Sequence, residues 1–173
     1  MRSLIDRLVA ARIGRTTNFY REGAGAALRR ERLGAYLEQR AGAPILLVGE
    51  APGYRGARVS GLPFTSERQL TGSGPAEATA TIVQRVLAEL GAAESILLWN
   101  IVPTHPGTDR TNRAPSREEI AAGSAFAFEL ARGRRAIAVG RIAADTPGAP
   151  YLRHPSHGGA HAFAEGLAAA LIA

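Results

Sequence analysis

The chain has 173 residues, of which 46% are hydrophobic and 21% charged, and this is enough to bury one sizeable core, so we predict a single domain over residues 1–173. Its formal net charge is +6 and every basic residue is arginine; such a charge favours a polyanionic partner such as DNA or RNA, although an arginine-rich composition is also typical of a GC-rich genome. The sequence contains no cysteine, which excludes disulfides, thiol catalysis and thiolate ligation of zinc or of an iron–sulfur cluster.

The N-terminal segment predicts neither export nor membrane insertion. Arg2, Asp6 and Arg7 interrupt its apolar positions, whereas a secretory signal needs an uninterrupted apolar core and a membrane span needs about 20 apolar residues. We therefore expect a cytoplasmic, monomeric protein that does not bind membranes.

Strand and helix patterns alternate along the chain. Four short apolar runs bounded by turn residues are typical of strands that are covered on both faces. Ser116 and Glu119 form a potential capping box at the start of the third helix, and Gly91 and Gly133 end the second and third helices. In chain order we predict a helix over 26–39, a strand over 44–49, a helix over 76–90, a strand over 95–100, a helix over 116–132, strands over 135–140 and 150–154, and a last helix over 159–173.

This alternation predicts an α/β fold, namely a three-layer α/β/α sandwich around a small, mainly parallel four-stranded sheet. In such folds ligands bind at the carboxyl ends of the strands. Three suggestive segments follow strands: "GEAPGYRG" (49–56), "NIVPTHPG" (100–107) and "HPSHGG" (154–159). We expect them to converge on one site.

Four sequence blocks together resemble a known family. "GEAPG" (49–53), "GLPFTSE" (61–67), "LLWNIVPTHP" (97–106) and "RHPSHGG" (153–159) occur in the order and at the intervals found in the uracil-DNA glycosylase superfamily. The resemblance covers about two-thirds of the chain. It implies an enzyme that flips a damaged base out of DNA and hydrolyses its N-glycosidic bond, leaving an abasic site, with no metal or cofactor in the chemistry.

Three residues fit the handling of an extruded base. Phe64 would stack on the base, which has lost its neighbours in the duplex; alternatively it is an ordinary core residue. The amide of Asn100 would accept from N3–H of uracil and donate to O4; alternatively Asn100 caps the turn before Pro103. His154 resembles the histidine of the family that donates to the negative charge developing at O2 of the departing base.

The resemblance departs from the most active members at Ala51, where those enzymes carry an aspartate that positions the attacking water. Glu50 and Glu67 are the carboxylates that would take over this role, and we favour Glu50. Families with the "GE" version of the loop usually hold an iron–sulfur cluster through four cysteines. With no cysteine, this chain is predicted to be a cluster-free relative in which N-terminal helices supply substitute packing.

The remaining candidates concern base selection and DNA contact. Gly53 stands where strict uracil enzymes place a tyrosine that blocks the methyl group of thymine. This side of the predicted base pocket is therefore open unless the Tyr54 side chain closes it. Ala51 and Tyr54 join Phe64 and Asn100 as predicted base-binding residues. Predicted DNA contacts are Ser66, Arg68, Ser156 and His157, with backbone groups at Gly56 and Gly61, and His157 could enter the duplex beside the gap left by the base.

The sequence thus predicts a monofunctional glycosylase that removes uracil from DNA. A hypoxanthine or xanthine glycosylase is the alternative within the enzyme class, since one fold can serve both. A catalytically weak DNA-binding module of the same fold is a second alternative, suggested by Ala51. A small nucleotide-binding domain lacks support, because no G-x-x-x-x-G-K-[ST] pattern and no lysine occur.

Overall fold

A four-stranded parallel sheet forms the centre of the molecule in the computed structural model, which describes residues 2–146 and 148–172. The strands lie in the order β2-β1-β3-β4, and Gly49 at the end of β1 is in register with Asn100 at the end of β2. The carboxyl ends of these two neighbouring strands therefore meet at one edge of the sheet. The strands are β1 (Ile45–Gly49), β2 (Ile96–Asn100), β3 (Arg135–Val139) and β4 (Tyr151–Leu152).

Seven helices surround the sheet within the described residues: α1 (Arg2–Ala10), α2 (Ala26–Gln39), α3 (Ala57–Ser60), α4 (Glu67–Thr71), α5 (Ala78–Glu89), α6 (Arg117–Ala131) and α7 (Ala160–Ile172). The four predicted long helices are present within two residues of their predicted bounds, although residue 173 lies outside the described residues. Ser116 and Glu119 form the predicted capping box of α6. The sequence did not predict α3 and α4, which are only four and five residues long.

Both faces of the sheet are buried, because successive strand residues point to opposite sides. Leu46 and Val48 pack into the core cluster that contains residues of α1, α2 and α6. Ile45 and Leu47 pack into the opposite cluster, which contains residues of α5 and α7. The predicted three-layer α/β/α sandwich is therefore confirmed, and the continuous apolar runs of the strands follow from burial on both sides.

The N-terminal segment packs onto this core and supports the loop after β1. The buried amide of Asn18 donates to the carbonyl oxygen of Leu8 at 2.7 Å, which satisfies one of the free carbonyls near the end of α1. The hydroxyl of Tyr20, also buried, donates to the carbonyl oxygen of Gly61 at 2.9 Å. The first twenty residues thus fix the position of the segment that carries Phe64. None of the helices in the described part of the chain is long and apolar enough to cross a membrane.

Candidate active site

A pocket of about 380 Å³ opens at the carboxyl ends of the strands. It combines residues from all three segments that the sequence predicts to converge. Its size falls within the usual range for small-molecule sites. Among its lining residues are Glu50 and Ala51 after β1, Asn100 at the end of β2, and His154, Ser156 and His157 after β4.

Phe64 and Asn100 both line this pocket and approach each other beside Gly49. A Cβ added at Gly49 would overlap the Phe64 ring and would lie 3.0 Å from Oδ1 of Asn100. Only a glycine at this position lets the ring and the amide approach each other. The backbone after Asn100 continues to pair with β1, since the N–H of Ile101 donates to the Gly49 carbonyl at 2.8 Å.

The backbone of Phe64 is held in a left-handed conformation, with φ of 50°, which is uncommon for a residue other than glycine. Side chains on both sides enforce it. The Ser60 hydroxyl donates to the carbonyl oxygen of Thr65 at 2.6 Å, and the Gln84 amide donates to the carbonyl oxygen of Phe64 at 3.1 Å. Phe64 belongs to the core and also lines the pocket.

The imidazole of His154 is fixed in one neutral form by the residues after it. The backbone N–H of Ser156 donates to Nδ1 of His154 at 3.2 Å, and the Ser156 hydroxyl lies 2.7 Å from the same nitrogen. Because Nδ1 accepts, the ring proton of the neutral form is on Nε2. Burial lowers the pKa of His154, and the charges of Arg153 and His157 lower it further. The side chain therefore offers an N–H donor from a neutral ring.

Glu50 supplies a half-buried carboxyl to the pocket. Burial raises its pKa above the ordinary value of 4.5, because desolvation disfavours the charged form. A carboxyl with a raised pKa beside a cavity is typical of a group that accepts a proton during catalysis.

Glu67 and Ser66 are not brought to the pocket. Glu67 accepts two hydrogen bonds from the guanidinium of Arg32, at 2.8 and 3.0 Å, and these bonds lower its pKa. Ser66 is fully buried, and its hydroxyl accepts from the N–H of Glu77 at 2.9 Å. Glu67 is thus engaged in an ion pair, and the Ser66 hydroxyl organises the start of α5.

Comparison with known proteins identifies the family. A model of the uracil DNA glycosylase superfamily matches residues 38–169, which is more than half of the chain. The chain belongs to the uracil DNA glycosylase superfamily. This membership assigns it to the DNA glycosylases, hydrolases that act on DNA in repair.

The crystal structure of wild-type SMUG2 from Pedobacter heparinus has the same fold as this uracil DNA glycosylase superfamily member. The two chains superpose with a TM-score of 0.68 over 98% of this chain and 97% of that one, at 15% sequence identity. This likeness shows the fold. None of the curated proteins compared with the chain matches it.

The residues of this superfamily member do not fit an iron–sulfur cluster, because the chain has no cysteine and such clusters are held by thiolates. Within residues 2–146 and 148–172, no group of three or more histidine, aspartate or glutamate side chains could hold a metal ion. The pocket must therefore be described by its own side chains.

Tyr54 and Arg68 lie outside this pocket, in a second groove. They line it together with Arg55, Arg58 and Asp109. The backbone N–H of Tyr54 donates to Oδ1 of Asn112 at 2.9 Å, which ties this groove to the rim of the pocket. Tyr54 does not close the wall beside Gly53.

The side chain of Glu77, which the sequence did not predict as a site residue, lies beside Gly53 on that side of the pocket. Glu77 precedes α5 and lines the pocket. A Cβ added at Gly53 would overlap its Oε1, and a Cβ added at Gly56 would overlap its Oε2. Burial raises the pKa of its carboxyl. The sequence held no local signal for this residue, because its place in the pocket depends on how the start of α5 approaches the loop after β1.

Arg113 is a second missed residue of the pocket. It donates to both carboxylate oxygens of Glu119, at 2.7 and 2.6 Å. Glu119 is buried and also accepts from the backbone N–H of Ser116 at 2.8 Å. These hydrogen bonds, with that from Arg113 the largest cause, lower the pKa of Glu119 to about 2. The pair places a fixed guanidinium at the pocket.

Proposed function

We propose that this protein is a monofunctional uracil-DNA glycosylase, which hydrolyses the N-glycosidic bond of a uracil flipped out of DNA. The observation that carries the proposal is the approach of the Phe64 ring and the Asn100 amide above Gly49. A flat, apolar face next to an amide suits a stacked pyrimidine that is read along its polar edge. We also propose that it acts as a monomer.

In this proposal Phe64 and Asn100 bind the base. The ring replaces the stacking that the base loses on leaving the duplex. Uracil presents an N–H donor at N3 beside an acceptor at O4, and an amide can satisfy both when its orientation is fixed. Asn100 is 5% exposed and lines the pocket, so its amide is accessible chiefly from the pocket.

His154 and Glu50 would act on the bond itself. As the C1′–N1 bond breaks, its electron pair leaves with the base, and the Nε2–H of His154 donates to the negative charge at O2. Water adds to C1′, and the Glu50 carboxylate orients it and takes its proton. The negative charge of the Glu50 carboxylate also stabilises the cationic sugar. The released proton then neutralises the base anion.

The DNA strand would follow the basic groove that Tyr54, Arg55, Arg58 and Arg68 line, because guanidinium groups pair well with phosphate oxygens. On the other side of the pocket, His157 is exposed and has a φ of 50°. A strained residue is retained where the surroundings enforce it, often at functional sites. We assign His157 the place in the duplex that the flipped base vacates, and the Ser156 side chain a phosphate contact.

The direct test is excision from oligonucleotides that contain uracil, hypoxanthine or thymine, with and without Asn100→Asp. We expect the wild-type protein to release uracil and the variant to lose this activity sharply, because a carboxylate cannot donate to O4 and repels the anion forming on the base. Gln39→Glu adds the same charge on the exposed end of α2 and should remain active. Folding of all three proteins is checked by circular dichroism.

Other results of the assay would replace the proposal. Release of hypoxanthine without release of uracil would indicate the purine-directed alternative. Specific binding of uracil-containing DNA with no release of any base would indicate a binding module. Undiminished uracil release by Asn100→Asp would remove Asn100 from base recognition.

The basic groove predicts a salt-dependent affinity for DNA. Each phosphate contact contributes roughly one unit to the slope of log K against log salt concentration. The Arg55→Ala/Arg58→Ala double variant should therefore lower this slope by about two units. Fluorescence anisotropy with an undamaged duplex between low and moderate salt measures it.

The control for this prediction is Arg85→Ala on α5, an exposed arginine that lies outside the groove and pairs with Glu89. It should leave the slope unchanged. A decrease of about one unit in this single variant, half that of the double variant, would mean that overall charge, and not the groove, attracts DNA.

A further inference from the structure

The carboxyl of Glu77 is placed in the pocket by the start of α5. Glu77 is the residue before the helix, with φ of −116° and ψ of 129°, and its side chain makes no capping hydrogen bond. A short polar side chain such as aspartate at this position accepts from the first free N–H groups of the helix. Here the side chain turns away from its own helix and lies against Gly53 and Gly56.

The backbone of Glu77 is anchored on both sides, so this orientation is built into the fold. Its N–H donates to the Ser66 hydroxyl at 2.9 Å. Its carbonyl oxygen accepts from the N–H and the hydroxyl of Thr81, both at 3.0 Å. The Cα of Glu77 thus has a fixed place beside the pocket, while the end of the side chain retains rotational freedom.

The two glycines leave the space that this carboxyl fills. Gly53 is buried and its φ lies outside the left-handed region, so its conformation does not require a glycine. A Cβ there would instead overlap Oε1 of Glu77. The absence of a side chain at residue 53 is therefore explained by the carboxyl of residue 77.

We infer that the Glu77 carboxyl is the wall of the base pocket that limits which bases the enzyme accepts. This inference rests on the proposed function, in that Phe64 and Asn100 of the same pocket bind the base. A base that carries an additional substituent toward residue 77 meets the carboxyl, whereas an unsubstituted pyrimidine does not. Glu77 thus selects bases, and the chemistry is performed by other side chains.

The experiment measures the excision rates of uracil, 5-methyluracil (thymine), 5-hydroxymethyluracil and hypoxanthine by single-turnover cleavage. Glu77→Ala removes the wall, and we expect the excision of at least one larger base relative to uracil to rise about 10-fold or more, the scale of one methylene group in a pocket. Glu77→Gln keeps the size and should keep the wild-type ratio. Glu38→Ala, which removes an exposed carboxylate from α2, is the control for charge.

A double-mutant cycle tests the link between residues 53 and 77. In the wild-type background the methyl group of Gly53→Ala must displace the Glu77 carboxyl, so the ratio of bases should change. In the Glu77→Ala background there is no carboxyl to displace, so the same substitution should change the ratio little. Because the carboxyl is the flexible end of a side chain, Tm should stay within a few degrees of the wild type in every variant.

Several results would overturn the inference. One is an excision ratio of larger bases to uracil that stays unchanged in Glu77→Ala. Another is a change of this ratio in Glu77→Gln that equals the change in Glu77→Ala. A third is an equal loss of activity on all bases, which would indicate that Glu77 takes part in the chemistry. Additive effects of the Gly53→Ala and Glu77→Ala substitutions would disprove the link between the two positions. If the wild type releases other bases but not uracil, the proposed function fails, and the rates relative to the smallest base that is released then test the wall. Release of no base by the wild type overturns both.

Discussion

Glu50→Gln should slow uracil excision by roughly 10²- to 10⁴-fold, which is the usual contribution of a general base. Glutamine keeps the size of the side chain but cannot take a proton from water or stabilise a cationic sugar. DNA affinity should not decrease, because the substitution removes a negative charge. Single-turnover cleavage of a uracil-containing duplex, together with anisotropy for binding, measures both quantities.

The pH dependence gives this prediction a specific sign. The pKa of Glu50 is raised above 4.5 by burial, so its carboxylate forms only as the pH rises past that value, and excision should rise with pH there. The raised pKa also means that the group stabilises the fold below the unfolded-state pKa and that this stability is lost as the pH rises through the folded-state pKa. Glutamine at position 50 is neutral at every pH. The difference in Tm, variant minus wild type, should therefore be more positive at pH 7 than at pH 4.5.

Glu67→Gln is the matched comparison for Glu50→Gln. Its carboxylate pairs with Arg32 away from the pocket, so its loss should affect excision much less. If both glutamine variants keep wild-type rates, neither Glu50 nor Glu67 replaces the aspartate that is missing at Ala51.

His154→Ala should lower the single-turnover rate by about 10²- to 10³-fold, the scale of losing one donor to a developing anion. Nδ1 of His154 accepts from the Ser156 N–H. The neutral ring therefore carries its proton on Nε2, and this N–H is the donor that the variant loses. Binding of uracil-containing DNA should change little, since the charge on O2 develops only as the bond breaks. A variant that binds weakly but cleaves at the normal rate would contradict this role.

Ser156→Ala provides the control for the orientation of His154. The backbone N–H that donates to Nδ1 remains in this variant, so the ring keeps its proton on Nε2, and excision should decrease only a few-fold. If His154→Ala proves more damaging than Glu50→Gln, stabilisation of the leaving base contributes more than activation of water.

The sheet and the long helices could be predicted because their sequence patterns are local. The strands are continuous apolar runs, since neighbouring residues such as Leu46 and Leu47 enter opposite core clusters. The short helices α3 and α4 escaped prediction because tertiary contacts define them. One such contact is the hydrogen bond from Tyr20 to Gly61, between residues 41 positions apart.

The same distinction applies to the site. Glu50, Asn100 and His154 follow strands whose carboxyl ends must meet in a parallel sheet, so the sequence predicts their convergence. The position of Glu77 depends on how the start of α5 approaches the loop after β1, and no local pattern encodes this approach. The ion pair of Glu67 with Arg32 likewise arises only when α2 lies beside α4.

The base pocket joins two regions whose resistance to local unfolding differs. Its floor belongs to β1 and β2, in which every residue is buried, whereas α4, which leads to Glu77, buries none of its residues. Amide hydrogen exchange through local opening is fastest where few apolar contacts must break. Amide exchange should therefore be faster in α4 than at Gly49 and Asn100, so this side of the pocket can fluctuate locally while the strand ends stay protected.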